Sequence, residues 1–203
     1  QRQMCIRDRV AYGVTRCASG FPGTVSIDAR TLQALVTDVC TSLIGQGFRW
    51  IVVVNNHFEP EHVQALHTAL DAVEASTGVV VGYLDLTRRA RAELLGEEFR
   101  SGSCHAGRYE TSLVLAERPE LVDVEAMHAL PDVPVDLPGV LRSGLRDFQA
   151  MGMEQAYCGS PAAATAEEGL RTFDTLTDLL VQTVRAVLEG GGRDRPGRFG
   201  RSP

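Results

Sequence analysis

Long hydrophobic runs are missing from this sequence: its longest apolar stretches, such as residues 51–54 (IVVV) and 79–81 (VVV), fall far short of the roughly 18 residues that a membrane-spanning helix requires. No transmembrane segment is expected. Positive charge is not in excess either. Twenty Lys and Arg against 26 Asp and Glu leave a formal net charge of −6, so the average surface does not attract phosphate backbones or anionic lipid, and neither nucleic acid nor membrane is an expected partner. A CxxC pair is also lacking. The five cysteines (Cys5, Cys17, Cys40, Cys104, Cys158) are odd in number and widely spaced, which suits neither a disulfide framework nor a zinc knuckle and fits a reducing cytoplasm. No apolar stretch follows the basic residues near the N-terminus, so a secretory signal is not expected. Without GxxxxGK[ST], GxGxxG or GxSxG patterns, nucleotide binding and serine-elbow hydrolysis lack their usual signatures.

What is present is ordinary globular material: 203 residues, 44% hydrophobic and 23% charged, enough for one domain around one core. Residues 1–9 (QRQMCIRDR) show no apolar periodicity and look like translated read-through, so they are expected to be a non-native leader. Residues 190–203 are rich in Gly, Arg and Pro, a composition that cannot bury enough surface to offset chain entropy, and are expected to be a disordered tail. The domain is expected over residues 10–189.

Asp28 precedes apolar residues at 32, 35, 36, 39, 40 and 43, the spacing of an amphipathic helix, and Gly47 supplies a stop. Residues 50–54 form a continuous, largely β-branched run that predicts a strand covered on both faces. A second helical pattern runs from Pro60 to about Ala75, followed by a second apolar strand over 79–84. Helix, strand, helix, strand implies βαβ crossovers: an α/β fold, a three-layer sandwich with a mostly parallel sheet flanked by helices, whose ligands gather at the strand C-termini. Residues 109–116 predict a short helix, 131–139 an extended proline-rich loop, and 165–188 a long helix opened by Thr165.

Two segments could carry chemistry. In residues 55–60 (NNHFEP), at the end of the first strand, His57 and Glu59 point to the same side if extended geometry persists. An imidazole and a carboxylate offered together suit zinc or manganese, although two ligands are too few for a closed site. The plain alternative is a loop histidine bonded to a neighbouring carboxylate. In residues 103–112 (SCHAGRYETS), a small-residue loop runs into a helix. His105 there could exchange protons near neutral pH with Glu110 orienting it, or the segment could be a helix cap with an incidental histidine. Cys104 beside His105 raises a cysteine-nucleophile alternative, disfavoured because adjacent residues seldom direct their side chains at each other. His62 and His67 stand five apart in a helix pattern, off any shared face, and are expected to be surface residues. No role is inferred for His128.

Taken in order, the segments resemble the creatininase family. Residues 21–28 (FPGTVSID) resemble its FPGT turn and 55–59 (NNHFE) its N-G-H-aromatic-E segment, with Asn56 in place of the glycine. Residues 105–112 (HAGRYETS) resemble its HxGxxETS segment, and 164–169 (ATAEEG) its late helix start. The resemblance implies that His57 and Glu59 each ligate one of two adjacent divalent metals, zinc or manganese. It implies that His105 acts catalytically near the scissile bond, and that Phe58 and Cys104 belong to the substrate pocket with Glu110 in support. Cys104 stands where creatininase itself is acidic, which points away from creatinine as substrate. The family also carries an earlier strand with E-x-H and a bridging aspartate, which nothing before Val10 supplies, so three of five expected ligands are absent and the chain reads as a fragment lacking its first strand and helix. The implied activity of the full-length protein is metal-dependent hydrolysis of a C–N bond, other than a peptide bond, in a small cyclic or linear amide. The implied assembly is a homo-oligomer, commonly a hexamer, and the fragment alone is expected to be inactive. The alternative is a non-catalytic binding or assembly subunit that keeps the fold without metals.

Overall fold

The computed structural model describes residues 9–190. The expected leader and tail lie outside the described residues, apart from Arg9 and Gly190. Helix α1 (Ala29–Gly45) starts where the Asp28 carboxylate accepts the Arg30 N–H at 2.9 Å, satisfying one of the donors that a helix N-terminus leaves open. It buries Leu32, Val36, Cys40 and Ile44, one residue per turn, and this row packs on α2 (Pro60–Thr77). Between them lies β1 (Val52–Val54). Helix α2 opens with Pro60, whose missing N–H costs nothing in a first turn, and closes on Gly78 at φ 69°, which donates to the Glu74 carbonyl. Strand β2 (Gly82–Leu84) then pairs in parallel with β1, Val52 opposite Gly82 and Val54 opposite Leu84.

Alternation along β2 sorts the layers. Val81 and Tyr83 face the core shared by α1 and α2, while Leu84 joins Leu176, Leu179 and Leu180 of α8 (Ala166–Leu188) on the other face. Gly82 must be glycine for this: a Cβ there would stand 2.5 Å from the Val187 side chain of α8. Helices on both sides of a parallel pair give the expected α/β layering. The short helices α3 (Arg89–Ala92), α4 (Glu97–Ser101), α5 (Arg108–Glu117), α6 (Val124–Ala129) and α7 (Leu137–Arg142) lead from β2 to α8. Helix α5 lies against α8, where Gly169 meets the Ser112 backbone.

Several expectations change. The strands are three residues each, and β1 is not covered on both faces: Val54 is 58% exposed. The proline-rich stretch is not extended throughout, because the Asp136 side chain accepts the Gly139 N–H and starts α7, with Pro138 in its tolerated first turn. His62 and His67 are buried, not surface residues. Helix α2 is covered on more than one face, so two positions off a shared face can both be enclosed. Among the described residues no helix is long and apolar enough to cross a membrane.

Candidate functional site

The C-terminal end of β1 is organised by Asn55, whose side chain uses both of its polar atoms twice. Its Oδ1 accepts from the His57 N–H at 3.2 Å and from His62 Nε2 at 3.1 Å; its Nδ2 donates to the His57 carbonyl at 2.7 Å and to the Tyr83 hydroxyl at 3.2 Å. This fixes the turn that carries His57. Tyr83, on β2, has its hydroxyl pushed up to about 12 by burial, so it stays protonated.

The two imidazoles close on one residue. His62 Nδ1 accepts the Val14 N–H at 3.2 Å, and His57 Nε2 meets the Val14 carbonyl at 2.8 Å. A carbonyl only accepts, so the network assigns the hydrogen of His57 to Nε2 and leaves Nδ1 with the lone pair. The same logic assigns His62 as the neutral Nε2–H form. Burial first and the neighbouring His57 second push its pKa down to about 4, and the rings stand edge to face at 4.8 Å.

Glu59 turns to the same segment. Its carboxylate accepts the Arg16 N–H at 2.9 Å and the Cys17 N–H at 3.3 Å, while the Arg16 guanidinium pairs with Glu61 at 2.7 Å. Cys17 is pushed up to about 11, by burial first and then by Glu59. His57 and Glu59 therefore both face residues 14–17. Phe58, between them, packs edge to face on Phe99 at 5.4 Å in the core beside α8.

His105 reaches the same region through Phe148. Its ring lies 5.0 Å from that of Phe148, whose N–H donates to the Cys17 carbonyl at 2.9 Å. Burial holds the His105 pKa below its ordinary value, Glu110 opposes this, and His57 adds to the lowering. Glu110 Oε2 accepts the Ala106 N–H at 2.7 Å, with Ala106 at φ 48°. Cys104 is buried among Leu84, Phe99 and Tyr109, and burial, with Glu110 adding, drives its pKa far up. A thiol so held is not a nucleophile, which removes the support for a cysteine-dependent reaction.

His57 and Glu59 are the right kinds of donor for a borderline-soft divalent metal, but the number is short. Among the described residues no group of three or more His, Cys, Asp or Glu is placed to hold a metal. The donor types fit and the described set by itself does not suffice. Asn55 and His62 are the residues that sequence reasoning missed. An asparagine closing an apolar strand two residues before a candidate ligand was the available signal.

The family model Creatininase, described as creatinine amidohydrolase, matches residues 3–184. The mycofactocin precursor peptide peptidase of Mycobacterium ulcerans (strain Agy99) is 30% identical over 177 residues, covering 86% of this chain and 63% of that protein. Its namesake in Mycobacterium tuberculosis (strain ATCC 25618 / H37Rv) is 31% identical over 186 residues, covering 91% and 66%. The creatinine amidohydrolase of Pseudomonas putida is 34% identical over 115 residues, covering 52% and 44%. This chain thus spans less than two thirds of the length of these relatives. Among solved structures, a manganese creatininase superposes with a TM-score of 0.63 at 24% identity, over 86% of this chain and 71% of that one. A creatininase variant of Zn-Zn type superposes with a TM-score of 0.61, also at 24% identity and over the same shares of the two chains. At that identity the likeness carries the fold.

Proposed function

This chain belongs to the creatininase family, and from that premise we propose that the complete protein is a metal-dependent amidohydrolase cleaving a C–N bond in a small cyclic or linear amide or a peptide-like substrate. The observation that carries the reading is the convergence of His57 and Glu59 on residues 14–17, with His105 meeting the same segment through Phe148. Peptide-like substrates enter because several relatives are named peptidases of a precursor peptide.

In this reading His57 and Glu59 would be two of the residues that hold a divalent ion, which would need further donors beside them. A bound divalent ion of this kind lowers the pKa of water and polarises a carbonyl. The chain's own contributions are separate. Asn55 fixes the His57 turn. His105, neutral at pH 7, accepts a proton and passes it to the departing nitrogen, work worth typically about 10² to 10⁴ in rate. Phe58 and Cys104 border the substrate, and Glu110 supports His105 through its charge and the Ala106 N–H. A cytoplasmic homo-oligomer, hexameric by family resemblance, is the working form.

Equilibrium dialysis with Mn²⁺ or Zn²⁺, followed by an amide and short-peptide panel, tests the reading. His57→Ala and Glu59→Gln should each weaken metal uptake and abolish any metal-stimulated hydrolysis. Hydrolysis that survives both substitutions, or that resists chelators and yields to thiol alkylation, would overturn it. A second reading, a non-catalytic binding or assembly subunit, draws on the engagement of Glu59 by two backbone N–H groups. Under it, biological activity is unchanged by His57→Ala.

A further inference from the structure

Helix α5 begins without a cap of its own. Its N-cap is Gly107, which has no side chain to accept the N–H groups of the first turn. The acceptor comes from another element: Glu98, half-buried on α4, takes the Tyr109 N–H on Oε1 at 2.8 Å. Its second oxygen, Oε2, takes the Ser160 N–H at 2.9 Å. The one carboxylate thus joins two backbone segments that meet nearby a second time, where the Cys158 N–H donates to the His105 carbonyl at 2.8 Å. These three bonds close a ring: from Glu98 to the first turn of α5, back along the chain to His105, across to Cys158, forward to Ser160, and back to Glu98.

Two glycines make room for it. A Cβ at Gly107 would run into the Cys158 carbonyl oxygen and lie 2.7 Å from Glu98 Oε1, and one at Gly159 would run into the Ser103 carbonyl oxygen and lie 2.6 Å from Oε2. The backbone on both sides is shaped to admit a carboxylate between the two segments. An anion also suits the position electrostatically, since the first turn of a helix presents partial positive charge. Glu98 lies on α4, seven residues before His105 in the following loop, and has no place in the metal-donor set.

We propose that Glu98 is a positioning residue for His105, its carboxylate locking the loop that carries the imidazole to residues 158–160. The inference rests on the reading of His105 as the proton-transfer group for its functional meaning, but not for its geometry. Glutamine is the informative replacement, because it keeps the shape and presents one carbonyl oxygen and one NH₂. One of the two backbone N–H groups then faces a donor, and the ring opens on that side.

The test is NMR of the protein without metal or substrate. In Glu98→Gln the cross-peaks between the His105 and Phe148 rings should weaken or vanish, while those between the His57 and His62 rings persist. In the unsubstituted protein the Tyr109 and Ser160 amides should be protected from hydrogen exchange and should exchange together. That measurement decides the matter if Glu98→Gln fails to fold. Unchanged His105–Phe148 cross-peaks in folded Glu98→Gln, or a Ser160 amide exchanging as fast as exposed loop amides, would overturn the proposal. Because no readout depends on hydrolysis, the amidohydrolase reading can fail while this one stands, and the reverse.

Discussion

His62 and Asn55 meet at 3.1 Å beneath the end of β1, and the other ring nitrogen of His62 accepts the Val14 N–H, which requires a neutral imidazole. Protonating that nitrogen breaks the Val14 bond. With the folded pKa near 4 against an ordinary 6.5, the unfolded chain takes up the proton first as pH falls. The stability held by neutral His62 is therefore complete above about pH 6.5 and is lost progressively down to about pH 4. The shift corresponds to at most about 3 kcal/mol. Urea unfolding between pH 7 and pH 4 should show this loss, and His62→Gln should flatten that part of the profile. Equal slopes in the two proteins would sink the assignment.

Ala106 occupies the left-handed region at φ 48°, next to the candidate proton-transfer residue. A Cβ in that conformation costs roughly 1 to 2 kcal/mol, partly offset in a glycine variant by the greater freedom of the unfolded chain. Ala106→Gly should raise stability by about 0.5 to 1 kcal/mol, read as a higher denaturation midpoint with unchanged slope. A drop in midpoint would mean that the Ala106 methyl makes a contact worth more than the strain.

Gly169 is the opposite case. Any Cβ there would run into the Ser112 backbone where α8 crosses α5, and backbone cannot rotate away as a side chain can. Gly169→Ala should cost about 3 kcal/mol, the upper end of ordinary overpacking. Ala116→Gly, which removes the other neighbour but leaves the backbone clash, should not rescue it. A mild effect in thermal unfolding would show that the helices separate easily.

Cys17, Cys40, Cys104 and Cys158 are all buried free thiols whose pKa values burial raises. Iodoacetamide at pH 8 should leave these four unmodified in the native protein and alkylate them in urea, as read by peptide mass spectrometry. Rapid native labelling of Cys104 would reopen the thiol-based reaction.

How far the sequence foretold this depends on the range of each interaction. Asp28, Thr165 and the glycine after α2 act on their own helices, so the boundaries of α1, α2 and α8 were legible within a few residues. The width of the α1 stripe was less so: Leu35 and Val39 repeat at the right interval yet are exposed, and the core takes only the row of Leu32, Val36, Cys40 and Ile44. The valines of β1 reported a preference for strand but not how many neighbours cover it. The two-residue repeat turned His57 and Glu59 to one side. What they meet there, residues 42 or 43 positions earlier, belongs to tertiary structure that no local pattern encodes. Glu98 escaped notice for the same reason, since its second bond reaches 62 residues along the chain.

The pairing of β1 with β2 has a practical side. Each strand turns one flank to the other, and among the described residues neither has a second strand neighbour; near one margin stand Trp50 and Val54, both more than half exposed. Open flanks of this kind offer amide and carbonyl groups to any extended chain that drifts past. For this chain the exposed margin of β1 is therefore a place where self-association can start, and substitutions meant to keep it dispersed belong there first.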